Sequence, residues 1–301
     1  MRRIAILLLL SPLAFAGVTD NVRIALSQGN LSAAEGELQS YRLQQGVTPD
    51  YLEGLSWLAR GYLVSNRFDQ AQSTAKEVDS LTREQIRTRP LDSDVHLPLA
   101  LGGAIEVEAQ VLAAEGRHAE AVALLRRSLE AYGNTSIRAR LQKNLNLLNL
   151  SGRPAPPLQV ATHLGPRPAP LATLKGSPVL LFFWAHWCAD CKAEGPVISR
   201  LASEFAPKLK VLAPTQLYGY AARGETAGPK DELAYIGKVW QTFYPGLQAA
   251  AVPVSKQNFN NYGASTTPTL VLVDRAGRVA LYHPGVMPYQ ELRAAIEKAI
   301  K

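Results

Sequence analysis

Between Pro178 and Phe205 the chain reads PVLLFFWAHWCADCKAEGPVISRLASEF, and this stretch constrains the fold more than any other. Residues 178–185 are wholly apolar, which is the pattern of a short strand covered on both faces. Val197, Ile198, Leu201, Ala202 and Phe205 then recur at helical spacing and predict an amphipathic helix. The only two cysteines of 301 residues, Cys188 and Cys191, fall at the join. Further on, LKVLAP predicts a strand and DELAYIGKVWQTFY a helix. TLVLVDRAGRVALYHPG predicts a hairpin turning at Arg275-Ala276-Gly277, and PYQELRAAIEKAI a closing amphipathic helix. A sheet with helices on both faces is implied, since each apolar face must be buried against another layer.

Upstream the pattern changes. From about Val18 to Leu150 apolar residues recur every three or four positions, which predicts helices throughout. Three helix-to-helix joints are similar: QGNLSAAE (28–35), SNRFDQAQ (65–72) and EGRHAEAV (115–122). In each, Gly or Asn ends one helix and a small alanine, Ala34, Ala71 or Ala121, comes next where close packing is wanted. These hairpins resemble tetratricopeptide repeats, with Leu58, Tyr62, Phe68 and Ala71 at the packing positions, although the alanines are not regularly spaced. Such an array is expected either to offer a groove to a protein partner or to serve as a stabilising layer.

Seven of the chain's 20 prolines lie between Arg153 and Pro178. Proline blocks helix and favours extended chain, so residues 151–157 read as a linker and Leu158 to His163 as short edge strands. The opening MRRIAILLLLSPLAFAG has a basic pair, an apolar run and Ala14-Phe15-Ala16, the layout of a secretory leader cleaved near Ala16. The expected organisation is a signal peptide (1–16), an all-α helical-hairpin domain (17–150), a linker (151–157) and an α/β domain (158–301). The mature chain is expected to be periplasmic or secreted, where disulfides persist, and no later stretch reads as a membrane span. The formal net charge of +7 comes from basic residues mixed with acidic ones, as in TREQIRTRP and LLRRSLEAY. Solvated helix faces account for this mixing, and a nucleic-acid partner is not expected.

The cysteines admit three readings. A structural zinc site needs about four ligands, and the chain has two cysteines and no histidine at finger spacing, so no metal or other cofactor is expected. A permanent structural disulfide gains little by closing so small a loop. A redox couple uses both residues: a thiolate at a helix N-terminus meets unpaired N–H groups and the positive end of the helix dipole. Cys188 is then the exposed nucleophile beside Trp187. Cys191, one turn further in, closes a disulfide with it and resolves the mixed disulfide formed with a substrate.

The stretch VLLFFWAHWCADCKAEGPVISRLASEF resembles the thioredoxin superfamily, and within it the extracytoplasmic ResA/TlpA-like thiol-disulfide oxidoreductases. The resemblance rests on Trp187, Cys188, Cys191, Lys192, Glu194 and Pro196, and on a distant STTPTLVLVDRAG. It covers about Leu158 to Lys301. It implies a thioredoxin-like domain with a central mixed sheet flanked by helices. It also implies a cis bond between Thr267 and Pro268 facing the cysteines, and a residue 267 whose backbone meets a bound substrate strand. The implied partners are protein disulfides or dithiols and an electron donor the sequence does not identify.

The chain departs from ordinary thioredoxins at Phe182, where those proteins bury an aspartate. The resemblance implies that Glu194 tunes the cysteines and relays a proton in its place. Between the cysteines stand Ala189 and Asp190, and an anionic Asp190 opposes thiolate formation, which favours a reductant over an oxidant. His186 is expected to face solvent. In the long segment 213–254, Leu233, Ile236, Trp240 and Phe243 are expected to bury one face of a helix. The other reading of that segment is a substrate-recognition lobe with Tyr218, Tyr220 and Trp240. The competing function is an interaction protein in which the thioredoxin-like fold is only a platform.

Overall fold

The computed structural model describes residues 17–301, and the predicted leader lies outside them. From Val18 to Asn149 the described chain is helical. It forms α1 (Val18–Ser27), α2 (Leu31–Gln45), α3 (Pro49–Val64), α4 (Phe68–Gln85), α5 (His96–Ala114), α6 (His118–Tyr132) and α7 (Arg138–Asn149). The joints break as the sequence suggests: Gly29, Asn66 and Gly116 all take positive φ. Asn30 caps α2 by accepting the Ala33 N–H, and Thr48 caps α3 by accepting that of Tyr51, with Pro49 at the first helical position. Ala34, Ala71 and Ala121 are fully buried and Leu58 and Tyr62 nearly so, whereas Phe68 is only half-buried.

One expectation fails here. α5 is long and apolar enough, by length and composition, to cross a membrane. Its apolar window is 72% buried inside the protein, as the core helix of a globular unit would be.

The chain separates into two compact units, one ending at Val111 and the next starting at Leu112, inside α5. The proline-rich stretch marks the change from helix to extended chain, but α7 is tied to residues beyond those prolines. Asn146 donates its amide N–H to the Tyr262 carbonyl at 2.9 Å, and the Tyr282 hydroxyl donates to the same oxygen at 2.9 Å. The expected linker is fastened too. The N–H groups of Gly152 and Ala155 reach the carbonyls of Val279 and Gly277, and the Val279 N–H returns to Arg153.

The expected strand over 158–163 shrinks to β1 (His163–Leu164). The backbone before it is satisfied by a side chain instead of a ladder: Asn258, fully buried, accepts the Gln159 N–H at 2.7 Å and donates to the Gln159 carbonyl at 2.9 Å. The remaining elements are β2 (Val179–Phe183), α8 (Ala189–Glu204), β3 (Lys210–Leu212), α9 (Pro229–Phe243), β4 (Val252–Pro253), α10 (Lys256–Tyr262), β5 (Thr269–Val273), β6 (Val279–Pro284) and α11 (Tyr289–Ile300). The main sheet has the order β3-β2-β5-β6, with β2 parallel to β3 and antiparallel to β5, and β5 antiparallel to β6.

Every residue of β2 is buried, and its alternation divides two cores. Leu180, Phe182 and Trp184 face a cluster with Ile198, Leu201, Ile236, Trp240, Leu292 and Ile296, from α8, α9 and α11. Val179, Leu181 and Phe183 face Phe259, Tyr262, Val271 and Tyr282, under α10. This is the mixed sheet between helices that the resemblance implies. Its central strand delivers the cysteines to the edge of the layer.

Candidate active site

β2 runs out at Phe183, and Trp184 and Ala185 carry the chain into a turn anchored by buried bonds. The Trp184 indole N–H donates to the Ala213 carbonyl at 3.0 Å, and the Thr215 hydroxyl donates to the Trp184 carbonyl at 2.8 Å. Phe182, where a buried acid was the alternative, is fully buried and meets Tyr244 edge-on at 5.8 Å. β2 therefore supplies no acid beneath the site.

α8 starts directly at the cysteines. Cys188 is its N-cap residue, and the Cys191 N–H donates to Cys188 Sγ at 3.0 Å. This is one of the helix's unpaired first-turn donors, and it supports negative charge on that sulfur. A disulfide joins Cys188 to Cys191. Across the site, Cys188 Sγ lies 3.4 Å from the Thr267 carbonyl oxygen, and the Thr267–Pro268 bond is cis. Cys188, Cys191, Thr267 and Pro268, far apart in sequence, thus converge. Trp187 stands beside them, half in solvent.

Cys188 is not the exposed thiol the sequence suggests. It is 3% exposed, because the N-cap position tucks the sulfur between the start of α8 and the Thr267 backbone. Asp190, in the first turn of α8, is exposed. Glu194 sits one turn beyond Cys191 on the buried stripe of α8, with Cys191, Gly195, Ile198 and Leu201. Burial pushes its carboxyl above the usual range, against a backbone hydrogen bond at Met287 and the charge of His283. One of its oxygens, Oε1, is buried without a hydrogen-bond partner. A buried carboxyl with a raised pKa, one helical turn beyond Cys191, is a group that can exchange a proton with a thiol as the sulfurs react.

His186 also overturns its expectation. Its side chain is 1% exposed, because the segment after β3 folds over it. Tyr218, Tyr220 and Tyr235 surround the ring edge-on at 5.2–5.5 Å. Its Nε2 lies 3.4 Å from Oε1 of Glu232, which is as deeply buried. Glu232 accepts the N–H groups of Tyr218 at 2.5 Å and Gly219 at 2.8 Å. Burial holds the His186 pKa below its ordinary value despite this carboxylate.

On α9 the buried stripe is Glu232, Ile236, Val239 and Trp240. Trp240 is a core residue between Trp184 and Tyr244, whereas Phe243, expected inside, is 45% exposed beneath the Lys192 ammonium. Glu232 was not foreseen. The signal was an acid four residues before Ile236, on the apolar stripe of an amphipathic helix.

Residues 170–300 match the family model of a thioredoxin-like domain. Three curated relatives are similar over about half of the chain. The thioredoxin-like protein YneN of Bacillus subtilis is 29% identical over 147 residues, 48% of this chain and 78% of that protein. The thiol:disulfide interchange protein DsbE of Xylella fastidiosa is 29% identical over 142 residues, 47% of this chain and 64% of that one. The thiol-disulfide oxidoreductase ResA of Bacillus thuringiensis is 26% identical over 148 residues, 49% and 77% respectively.

Proposed function

We propose that this chain, whose residues 170–300 match a thioredoxin-like domain, is a thiol-disulfide oxidoreductase that works outside the cytoplasm as a reductant of disulfides in partner proteins. The observation that carries the reading is the Cys188–Cys191 disulfide at the N-terminus of α8, facing the Thr267 carbonyl. In the dithiol state the Cys188 thiolate attacks a client disulfide. One client sulfur leaves as a thiolate and the other stays bound to Cys188. Cys191, shielded until then, gives up its proton and attacks Cys188 Sγ, which releases the second client thiolate and restores the Cys188–Cys191 disulfide. Two electrons pass to the client, and an external donor dithiol must return them. Glu194 is the buried acid placed to accept the Cys191 proton.

The reducing direction is supported by Asp190, whose charge opposes the Cys188 thiolate and so leaves the disulfide form comparatively stable. The extracytoplasmic location is supported by the leader-like residues 1–16. The test is direct. Cys188→Ser abolishes disulfide exchange, Cys191→Ser accumulates a mixed disulfide visible by non-reducing electrophoresis, and the couple titrates near or below ~−270 mV. Full activity in both variants would sink the enzyme reading, and a potential near ~−120 mV would reverse its direction.

A second reading, in which the helical segment itself engages a protein, is favoured by a groove of about 850 Å³ between α1 and α3. Ile24, Leu31, Trp57 and Val64 line it, and Arg23 and Arg60 flank the Trp57 ring at 5.0 and 4.5 Å. On that reading a client still binds with equal affinity when both cysteines are serine and is lost in Trp57→Ala.

A further inference from the structure

The segment 217–227, between β3 and α9, is held to the domain in an unusual way. Its internal hydrogen bonds close a small hairpin: Ala227 N–H to the Gly219 carbonyl, Ala221 N–H to that of Glu225, and a bridge between Tyr220 and Thr226. Among the described hydrogen bonds, those that leave the segment are the N–H groups of Tyr218 and Gly219, and both end on Glu232. The same carboxylate lies 3.4 Å from His186 Nε2, which makes no hydrogen bond, and the rings of Tyr218 and Tyr220 close edge-on against His186. Burying a carboxylate is costly unless its oxygens are occupied. Here they are occupied by the two N–H groups of the excursion, whose Tyr218 and Tyr220 rings carry the contact on to His186 in the turn that bears the cysteines.

Tyr218, so fixed, backs Trp187 edge-on at 5.6 Å. Trp187 is 50% exposed and immediately precedes Cys188, and Leu217, next to Tyr218, is also exposed. A half-exposed indole at the lip of a reactive site offers an apolar face against which a ligand side chain can pack. Cys188 itself is almost buried, so a disulfide reaches it by passing Trp187. The opposite wall is the Thr267 carbonyl, which presents a backbone acceptor. A polypeptide segment fits this pair of walls, with main chain toward Thr267 and a side chain against Trp187.

We propose that Glu232 and His186 are positioning residues, a latch that fixes the Trp187–Tyr218 wall beside Cys188 and so makes the protein select disulfides whose cysteine neighbours a large aromatic residue. The inference rests on the oxidoreductase reading and adds the substrate class to it. Neither latch residue touches the substrate. Both act through Tyr218 and Trp187.

The experiment uses the full reduced chain and two synthetic peptide disulfides, identical except for Trp or Gly beside the reacting cysteine, and compares their kcat/KM values. The wild type prefers the Trp peptide by about fivefold, mostly through KM, from one added aromatic contact. Glu232→Gln cannot accept both N–H groups, and it lowers the preference to within about twofold. Tyr218→Ala, which removes the ring between His186 and Trp187, does the same, and Tyr218→Phe, which keeps the ring and loses a hydroxyl that has no hydrogen-bond partner, retains the wild-type preference. A wild type without preference overturns the latch, as does a Glu232→Gln protein in which both peptides slow in parallel and the preference survives, because that result marks a purely structural role. Should Glu232→Gln fail to fold, Tyr218→Ala decides alone: an unchanged preference overturns the proposal. A wild type that reduces neither peptide removes the oxidoreductase reading itself, an outcome distinct from active protein without selectivity.

Discussion

Cys188 Sγ lies 3.4 Å from the Thr267 carbonyl oxygen. When the disulfide opens, that oxygen accepts a hydrogen bond from the thiol but faces a thiolate with like charge, while the Cys191 N–H supports the thiolate from the other side. The sulfur therefore sits between one group that favours each protonation state. The exposed charge of Asp190 then counts.

Asp190→Asn removes a negative charge from the first turn of α8 and makes the couple more oxidising. An exposed charge interaction is worth ~0.2–1 kcal/mol, which for two electrons is a rise of about 5–20 mV in reduction potential. Equilibration against a glutathione buffer measures it, and a fall in potential would contradict the electrostatic account of direction.

Glu194→Gln keeps the size of the buried side chain but cannot take a proton. The resolving step should slow by on the order of 10², with mixed disulfide building up transiently as it does not in the wild type. Quenched-flow trapping with a peptide disulfide reads both. The ionisable carboxyl has a pKa raised by burial, so the wild-type rate carries a pH dependence above the ordinary carboxylate range that the glutamine variant lacks.

Gly195 is placed where no side chain fits. A Cβ there would stand 2.7 Å from Tyr244 Cδ1, and the Tyr244 ring is 1% exposed and cannot swing away. Gly195→Ala should destabilise the protein by about 1–3 kcal/mol through overpacking, more than the ~1 kcal/mol that alanine contributes to a helix over glycine. Urea titration followed by tryptophan fluorescence gives the difference.

In the N-terminal unit, burial and the charge of Asp79 push the Glu108 carboxyl up to about 7, against Lys76 and Arg83. The unfolded chain releases this proton near 4.5 and the folded chain holds it to about pH 7. Between those values the folded state binds more protons, so stability falls as pH rises through the window. Glu108→Gln should flatten that decline. Thermal unfolding at pH 5 and pH 8 should show a smaller difference in Tm than the wild type, and an unchanged difference would assign the pH dependence elsewhere.

The sequence discloses the central strand, the cysteine turn and α8, because an all-apolar run followed by a helical stripe has few other solutions. It also discloses the pairing of Pro268 with the cysteines, through the resemblance carried by Thr267-Pro268 and not through any local pattern. The burial of His186 was illegible for a physical reason. A polar residue in a turn is solvated by default, and the cover over His186 arrives with Tyr218, Tyr220 and Tyr235, the first two from a segment with its own internal hairpin. Glu232 was legible in principle, since a carboxylate in register with Ile236, Val239 and Trp240 must find partners. The missing strand at 158–163 fell to Asn258, a single amide that does the work of a neighbouring strand.

Leu150 lies in the same buried cluster as Phe183 and Tyr262, and Asn146 holds the Tyr262 carbonyl. The redox half is thus not a cassette that ends at its prolines. A fragment begun at residue 151 would leave α10 with a stripped apolar flank and an amputated hydrogen-bond partner. The smallest piece that inherits an intact second core reaches back to Arg138. For this molecule, the last helix before the prolines is the foundation of the catalytic half and not the tail of the array before it.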